Sequence, residues 1–314
     1  MTTPSRPGYP AAGPPIVVAP EVADALADQR AVVALESTLI AHGLPAPDNR
    51  AVAARLEAVV RDGGAVPATV AVLDGVARVG LDPDELDRVA AGHGVVKASV
   101  RDLPMVLARR GDAATTVSST MVLAHRAGIA VFATGGLGGV HRGAATSFDE
   151  SADLVTLSQV PMTVVCAGVK SILDVGATLE RLETLGVTVV GYQTDDFPGF
   201  YLTGTGHPLT WRAESVAELA AAATARDALA LPGALVVAHP LPVEAAMDLA
   251  THDALLADGL ATARAAGVVG RDVTPFLLAH FHAASAGASL AANVTIVVRN
   301  AALAAAIAVA GAGG

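Results

Sequence analysis

The chain has 314 residues, 20 basic and 30 acidic side chains, a formal net charge of −10, 53% hydrophobic and 16% charged residues. That balance excludes disorder over most of the length, and with no basic run it excludes nucleic-acid binding by charge. A chain of this size buries roughly three quarters of its unfolded surface, and its one cysteine, Cys166, forms no internal disulfide, which points to a reducing, cytoplasmic setting.

Residues 1–15 are rich in Pro and Gly, lack the apolar core of a signal peptide and read as a flexible leader. Ile16–Pro20 reads as a short strand and Glu21–Asp28 as a helix. Ala31–Leu35 is an apolar strand that the polar segment Glu36–His42 ends abruptly. A helix follows over Asn49–Arg61, then a strand over Val66–Leu73 with its turn at Gly75. Asp82–Ala91 is helical, and Pro83 suits its first turn. Val95–Val100 reads as a strand, Leu103–Arg110 and Thr116–Ala127 as helices. The strand Ile129–Ala133 runs into the glycine-rich stretch Thr134–Gly143. After a short helix at Asp153–Leu157, the strand Met162–Ala167 ends at Gly168-Val-Lys170. Ile172–Leu185 is a helix, Val187–Gly191 a strand, Val216–Leu229 a helix and Ala234–Ala238 a strand. Val243–Ala266, Thr274–Ser285 and Leu290–Val309 read as helices.

The strands are continuous apolar runs that alternate with helices. This predicts an α/β fold with a mostly parallel sheet covered by helices on both faces, in one large domain. Ligands in such sheets bind beyond the carboxyl ends of the strands. No membrane span is expected. The run Leu229–Val243 carries His239 and three prolines, Ala301–Gly314 is weakly apolar, and both fall short of ~18–20 residues.

Three polar segments sit at predicted strand ends. The glycines of Thr134–Gly143 suit either close backbone approach to a phosphate, with His141 and Arg142 adding charge, or a tight turn under packed helices. Asp149, Glu150 and Asp153 place three carboxylates within five residues. They suit either a hard divalent cation or a solvated turn in which Asp149 or Ser151 caps the next helix. Lys170 follows an apolar strand, where burial disfavours the charged amine and frees it to attack a carbonyl. Glu36 sits at an equivalent strand end, where a carboxylate serves as acid or base. A structural ion pair, even between these two, is the other reading. Against 18 arginines there are only two lysines, Lys97 and Lys170. Arg cannot lose its proton and cannot replace an amine nucleophile. The nine histidines form no zinc pattern and suit packing.

Several long segments, taken together, resemble the pseudouridine-5′-phosphate glycosidase family. They are Leu35-Glu-Ser-Thr-Leu-Ile-Ala-His-Gly43, Lys97-Ala-Ser-Val-Arg-Asp102, Thr134–Gly143, Ser147-Phe-Asp-Glu-Ser-Ala-Asp-Leu154 and Cys166-Ala-Gly-Val-Lys-Ser-Ile-Leu-Asp174, joined by Gly191–Pro198, Val273–Leu278 and Gly287–Asn293. The resemblance runs from about Ile16 to about Val309, with the motifs in the family's order, which sets a catalytic domain at 16–309 and a flexible tail at 310–314. It implies a cytoplasmic homotrimer with one manganese ion per subunit, without nucleic-acid or membrane partners. It also implies reversible cleavage of the C–C bond of pseudouridine 5′-phosphate to uracil and ribose 5-phosphate. Lys170 matches the lysine that holds the ring-opened ribose as a Schiff base, and Glu36 matches the proton donor and acceptor. Asp149 matches the metal ligand. Lys97, Val117, Thr134, His141, Ser151, Ala152, Asp153 and Asn293 match substrate contacts. Val100 stands where a second basic residue is usual, His239 where asparagine is usual, and Arg271 where lysine is common. The alternatives are a Schiff-base lyase or glycosidase for another ribosyl phosphate C-nucleoside and a non-catalytic sugar-phosphate sensor.

Overall fold

The computed structural model describes residues 16–268, 273–285 and 287–313; the leader, Arg271 and Gly314 lie outside them. Eleven strands form one sheet among the described residues. In chain order they are β1 (Ile16–Val18), β2 (Val32–Leu35), β3 (Val66–Leu73), β4 (Val76–Val79), β5 (Val96–Ala98), β6 (Ala113–Thr115), β7 (Val131–Ala133), β8 (Thr163–Cys166), β9 (Thr188–Tyr192), β10 (Trp211–Ala213) and β11 (Leu235–Ala238). The helices are α1 (Pro20–Ala27), α2 (Asp48–Asp62), α3 (Pro83–Ala91), α4 (Leu103–Ala108), α5 (Val117–Arg126), α6 (Ala144–Ser147), α7 (Ala152–Gln159), α8 (Val175–Thr184), α9 (Val216–Ala228), α10 (Leu249–Ala265), α11 (Val273–Ala284) and α12 (Ala288–Ala312).

The strand order is β1-β4-β3-β2-β7-β8-β11-β9-β10, with β6 also on β3 and β5 on β6. Every pairing from β3 through β2 to β10 is parallel. The departures are at β3, which pairs antiparallel with β4 and β6. Its first half, Val66–Thr69, lies against β2, and its second half, Val70–Leu73, against β4. Asp74 and Gly75, both at positive φ, close the β3–β4 hairpin; Asp-Gly is the turn that such a two-residue loop favours. The short strands β4, β6 and β10 are not expected from the sequence, because three or four residues give too little pattern to separate strand from loop.

The continuous apolar runs follow from burial on both faces. Val33 and Leu35 of β2 join the core with α2, α9, α10, α11 and α12, while Val32 and Ala34 join the opposite core with α1, α4, α5, α7 and α8. Neighbouring residues on a strand point to opposite faces, so no position can be polar without an internal partner. Several helices (α3, α7, α8, α9 and α10) begin where a side chain satisfies one of their first N–H groups. Asp82 and Glu85 form a capping box on α3, as do Ser215 and Glu218 on α9, and Pro83 takes the first helical turn.

Several boundaries differ from the sequence reading. The region 243–266 divides into a 3₁₀ turn at Val243–Ala245 and α10, because Asp248 caps a new helix. The helix expected from Ile172 starts at Val175, with Asp174 as its cap. The helix α12 is 25 residues long and continues to Ala312, through part of the expected tail. Its mean hydropathy of 1.8 and length suffice to cross a membrane, against the expectation of no such run, and half of that stretch is buried inside this fold.

Candidate active site

Four adjacent parallel strands end at one edge of the sheet. Glu36 follows β2, Thr134 follows β7, the Gly168–Lys170 segment follows β8 and His239 follows β11. The topology therefore gathers residues up to 203 positions apart, the separation between Glu36 and His239 in the numbering. After β2 the chain enters a π-helical turn at Leu39–Gly43, a conformation that recurs at functional sites. This turn carries His42 to the wall of a cavity of about 370 Å³. Glu36, Lys97, Lys170 and Asn293 line the same cavity, with Gly135 and Gly136 of the glycine-rich stretch.

Glu36 is open to the cavity and enclosed by protein elsewhere. Burial raises its carboxyl above the ordinary 4.5, against the opposing pull of the Lys170 charge and the Thr134 hydroxyl. That hydroxyl donates directly to Glu36 Oε1. A carboxyl held partly toward its neutral form can give a proton as well as take one. Lys97, on β5, adds a more distant positive charge to Glu36 and disfavours protonation of His42, whose largest perturbation is burial.

Behind Thr134 runs a buried polar relay. Asn300 Nδ2 donates to the Thr134 carbonyl at 2.8 Å, and Asn300 Oδ1 faces His239 Nδ1 at 3.1 Å. An Arg299 N–H donates to His239 Nε2 at 3.1 Å. One proton arrangement satisfies all three bonds: His239 is neutral, carries its hydrogen on Nδ1 and accepts at Nε2. Burial and the Arg299 charge lower His239 to about 4.

The glycine-rich stretch and the lysine segment continue the sheet pattern beyond the strands. Leu137 N–H donates to the Gly168 carbonyl at 2.9 Å, and Lys170 N–H donates to the Leu137 carbonyl at 3.1 Å. Asp153 fastens this strap from the other side. Its Oδ2 accepts from Gly138 N–H at 2.8 Å and its Oδ1 from Ser118 N–H at 3.1 Å, in the first turn of α5. Ser151 caps α7 by accepting from Asp153 N–H. A Cβ on Gly138 would strike the Ser151 hydroxyl and lie 2.7 Å from Asp153 Oδ2, so no side chain fits there. Ser151, Ala152, Asp153, Val117 and His141 thus stand around the strap rather than on the cavity lining given above.

The three acids divide by role. Glu150 pairs with Arg181 at 2.9 Å, Asp153 is engaged by the backbone, and Asp149 faces His141 at 3.7 Å. Burial and Lys170 lower the His141 pKa, and Asp149 opposes them. Among the described residues no three metal-ligating side chains converge. A divalent cation would find its carboxylate here in Asp149, since Glu150 is taken by Arg181 and Asp153 by backbone N–H groups. Cys166 is fully buried, and burial pushes its thiol up to about 12, so it is no nucleophile.

Phe200, Tyr201 and Leu278 belong to the apolar part of the cavity wall. Neither these nor the Thr134–Asn300–His239 relay is read from the sequence, where His239 is marked only as a departure. Val100 donates its backbone N–H to Ser118 Oγ at 3.2 Å.

Fold and site together define a class: an α/β enzyme with an amine and a carboxyl group facing one cavity beyond the carboxyl ends of its parallel strands. The family described as "Indigoidine synthase A like protein" matches residues 21–310. A pseudouridine-5′-phosphate glycosidase of Frankia alni is 60% identical over 295 residues, 94% of this chain and 82% of the relative. One of Salinispora tropica is 61% identical over 293 residues, 93% of this chain and 90% of the relative. The crystal structure of a prealnumycin C-glycosynthase in complex with ribulose 5-phosphate superposes with a TM-score of 0.89 at 38% identity, covering 95% of this chain and 97% of that one. The chain belongs to the pseudouridine-5′-phosphate glycosidase family.

Proposed function

We propose that this enzyme reversibly cleaves the C–C glycosidic bond of pseudouridine 5′-phosphate, giving uracil and ribose 5-phosphate. The observation that carries the reading is the convergence of Glu36 and Lys170 on one cavity with Lys97 at its wall. A C–C bond needs an electron donor at the sugar carbon, since carbon is a poor leaving group and the uracil carbon departs with the bonding pair. The Lys170 amine supplies it by bonding to C1′ as the ribose ring opens, with the ring oxygen leaving as a hydroxyl. Glu36 gives its proton to the uracil carbon as the C–C bond breaks. Water then hydrolyses the imine, releasing ribose 5-phosphate and free Lys170. Thr134 steadies the Glu36 carboxylate between proton transfers, and Lys97 supplies positive charge for the phosphate.

Asp149 would hold manganese, whose charge would balance that of the substrate oxygens beside it. A homotrimer in the cytoplasm completes the reading. A phosphorylated substrate stays in the compartment that makes it, which supports the location. The 38% identity to a C-glycosynthase favours, as a second reading, the same chemistry with another aromatic ring.

Purified enzyme mixed with uracil, ribose 5-phosphate and Mn²⁺ tests the proposal. Mass spectrometry should detect pseudouridine 5′-phosphate. Folded enzyme that makes none, but joins ribose 5-phosphate to a different ring, overturns the choice of base and leaves the second reading.

A further inference from the structure

The Lys170 segment is anchored on two sides. The glycine-rich stretch holds its backbone, and Leu173 N–H closes a turn onto the Lys170 carbonyl at 2.9 Å. From α10, His252 Nε2 lies 2.7 Å from Ser171 Oγ, and His252 Nδ1 lies 3.1 Å from Asp253 Oδ1. Ser171 and His252 are 4% and 2% exposed. The proton positions follow from the partners. A carboxylate only accepts, so Nδ1 carries the hydrogen, Nε2 presents its lone pair, and the Ser171 hydroxyl donates to it. This Ser-His-Asp series lies outside the cavity lining, so it meets no substrate there. It ends one residue from Lys170.

His252 also packs on Phe281 at 5.5 Å, and Phe281 stacks on Tyr201 at 5.6 Å and 15°. Tyr201 lines the cavity. The same imidazole therefore contacts the lysine segment through Ser171 and a wall of the cavity through Phe281 and Tyr201. Asp253 is 64% exposed, so its pair with His252 adds little stability. Its evident use is to fix the tautomer that accepts from Ser171.

We propose that His252, oriented by Asp253, is a positioning residue that sets the Lys170 amine against the sugar carbon through its bond to Ser171. The proposal rests on the reading of Lys170 as the imine-forming residue. A lysine reaches its target through four methylene groups, so a shift of its Cα is carried to the amine. A misplacement of about 1 Å costs up to about 10²-fold in rate.

The test uses full-length enzyme with Mn²⁺ and the variants Ser171→Ala, His252→Leu, His252→Gln and the double variant Ser171→Ala/His252→Leu. Cleavage kcat and KM, borohydride trapping of ribose 5-phosphate on Lys170, and melting temperature are measured for each. Ser171→Ala and His252→Leu should each lower kcat and the trapping rate by about tenfold or more, with KM within about twofold. His252→Gln should recover most of the rate, because its amide oxygen can accept from Ser171. The double variant should be no slower than either single one, since both remove the same bond. Ser171→Ala keeps the test open if His252→Leu fails to fold. Wild-type kcat and trapping in Ser171→Ala overturns the proposal, as does equal loss in the Gln and Leu variants. Lys170→Ala is the control. Turnover surviving in it overturns the reading of Lys170 itself, and only a dead control with an unaffected Ser171→Ala isolates the failure to His252.

Discussion

Acidification should weaken this fold through His239. Its folded-state pKa is lowered from 6.5 to about 4 by burial and by Arg299. The unfolded chain therefore takes up a proton that the folded state refuses. The stability is fully present above about 6.5 and is lost as pH falls toward about 4, at about 1.4 kcal/mol per unit of difference. Between about pH 7.5 and pH 4.5 the expected loss from His239 alone is roughly 2.5 kcal/mol. His42, His141 and His252 are lowered too and act in the same direction. The raised carboxyls of Glu36 and Glu57 act in the opposite direction. The single-site effect is therefore read as a difference. His239→Asn keeps a neutral amide near the Nδ1 position, beside Asn300. Urea unfolding across this pH range should show the variant losing roughly 2 kcal/mol less than the wild-type chain. Parallel stability curves for the two proteins would refute the reasoning.

Glu36→Gln should separate stability from turnover. Because burial raises Glu36, its contribution to stability is present below the ordinary 4.5 and is lost as pH rises through the folded value. At neutral pH the substitution should raise the melting temperature while lowering kcat by about 10²-fold or more. A lower melting temperature would count against the desolvation argument. Lys97→Met should raise KM for the phosphorylated sugar at least about tenfold, measured by initial rates, with a smaller effect on kcat. Chelation with EDTA should stop turnover, and Mn²⁺ should restore it. Asp149→Asn should weaken Mn²⁺ binding in a titration read by electron paramagnetic resonance, and unchanged affinity would remove Asp149 from the metal site.

The parts of the fold legible in the sequence are those with unbroken apolar runs. β2, β3, β8 and β11 are buried along their whole length, so no exposed position interrupts their apolar runs. β4 is buried only at alternate positions, and β6 and β10 span three residues each. Their pairing is decided by the bend of β3 and by β9, both remote in sequence. Glu36 and Lys170 are legible because each ends an apolar run with an ionisable group. The relay through Asn300 and His239 is not, since it joins the end of β11 to the middle of α12 and to the backbone after β7. The backbone partners of Asp153 are not legible either. Its carboxylate suits a ligand contact, yet both oxygens accept from backbone N–H groups. Ser171 and His252 are 81 residues apart, and only the docking of α10 against the lysine segment reveals their bond.

The proposed chemistry turns on one covalent bond, between Lys170 and the sugar. The chain holds only two lysines, so a peptide map after borohydride treatment with ribose 5-phosphate has few places for an adduct. A reduced pentose-phosphate adduct should be found on the peptide containing Lys170, and it should be absent without borohydride and in Lys170→Ala. Active enzyme that yields no adduct, or yields it on Lys97, would contradict the assignment.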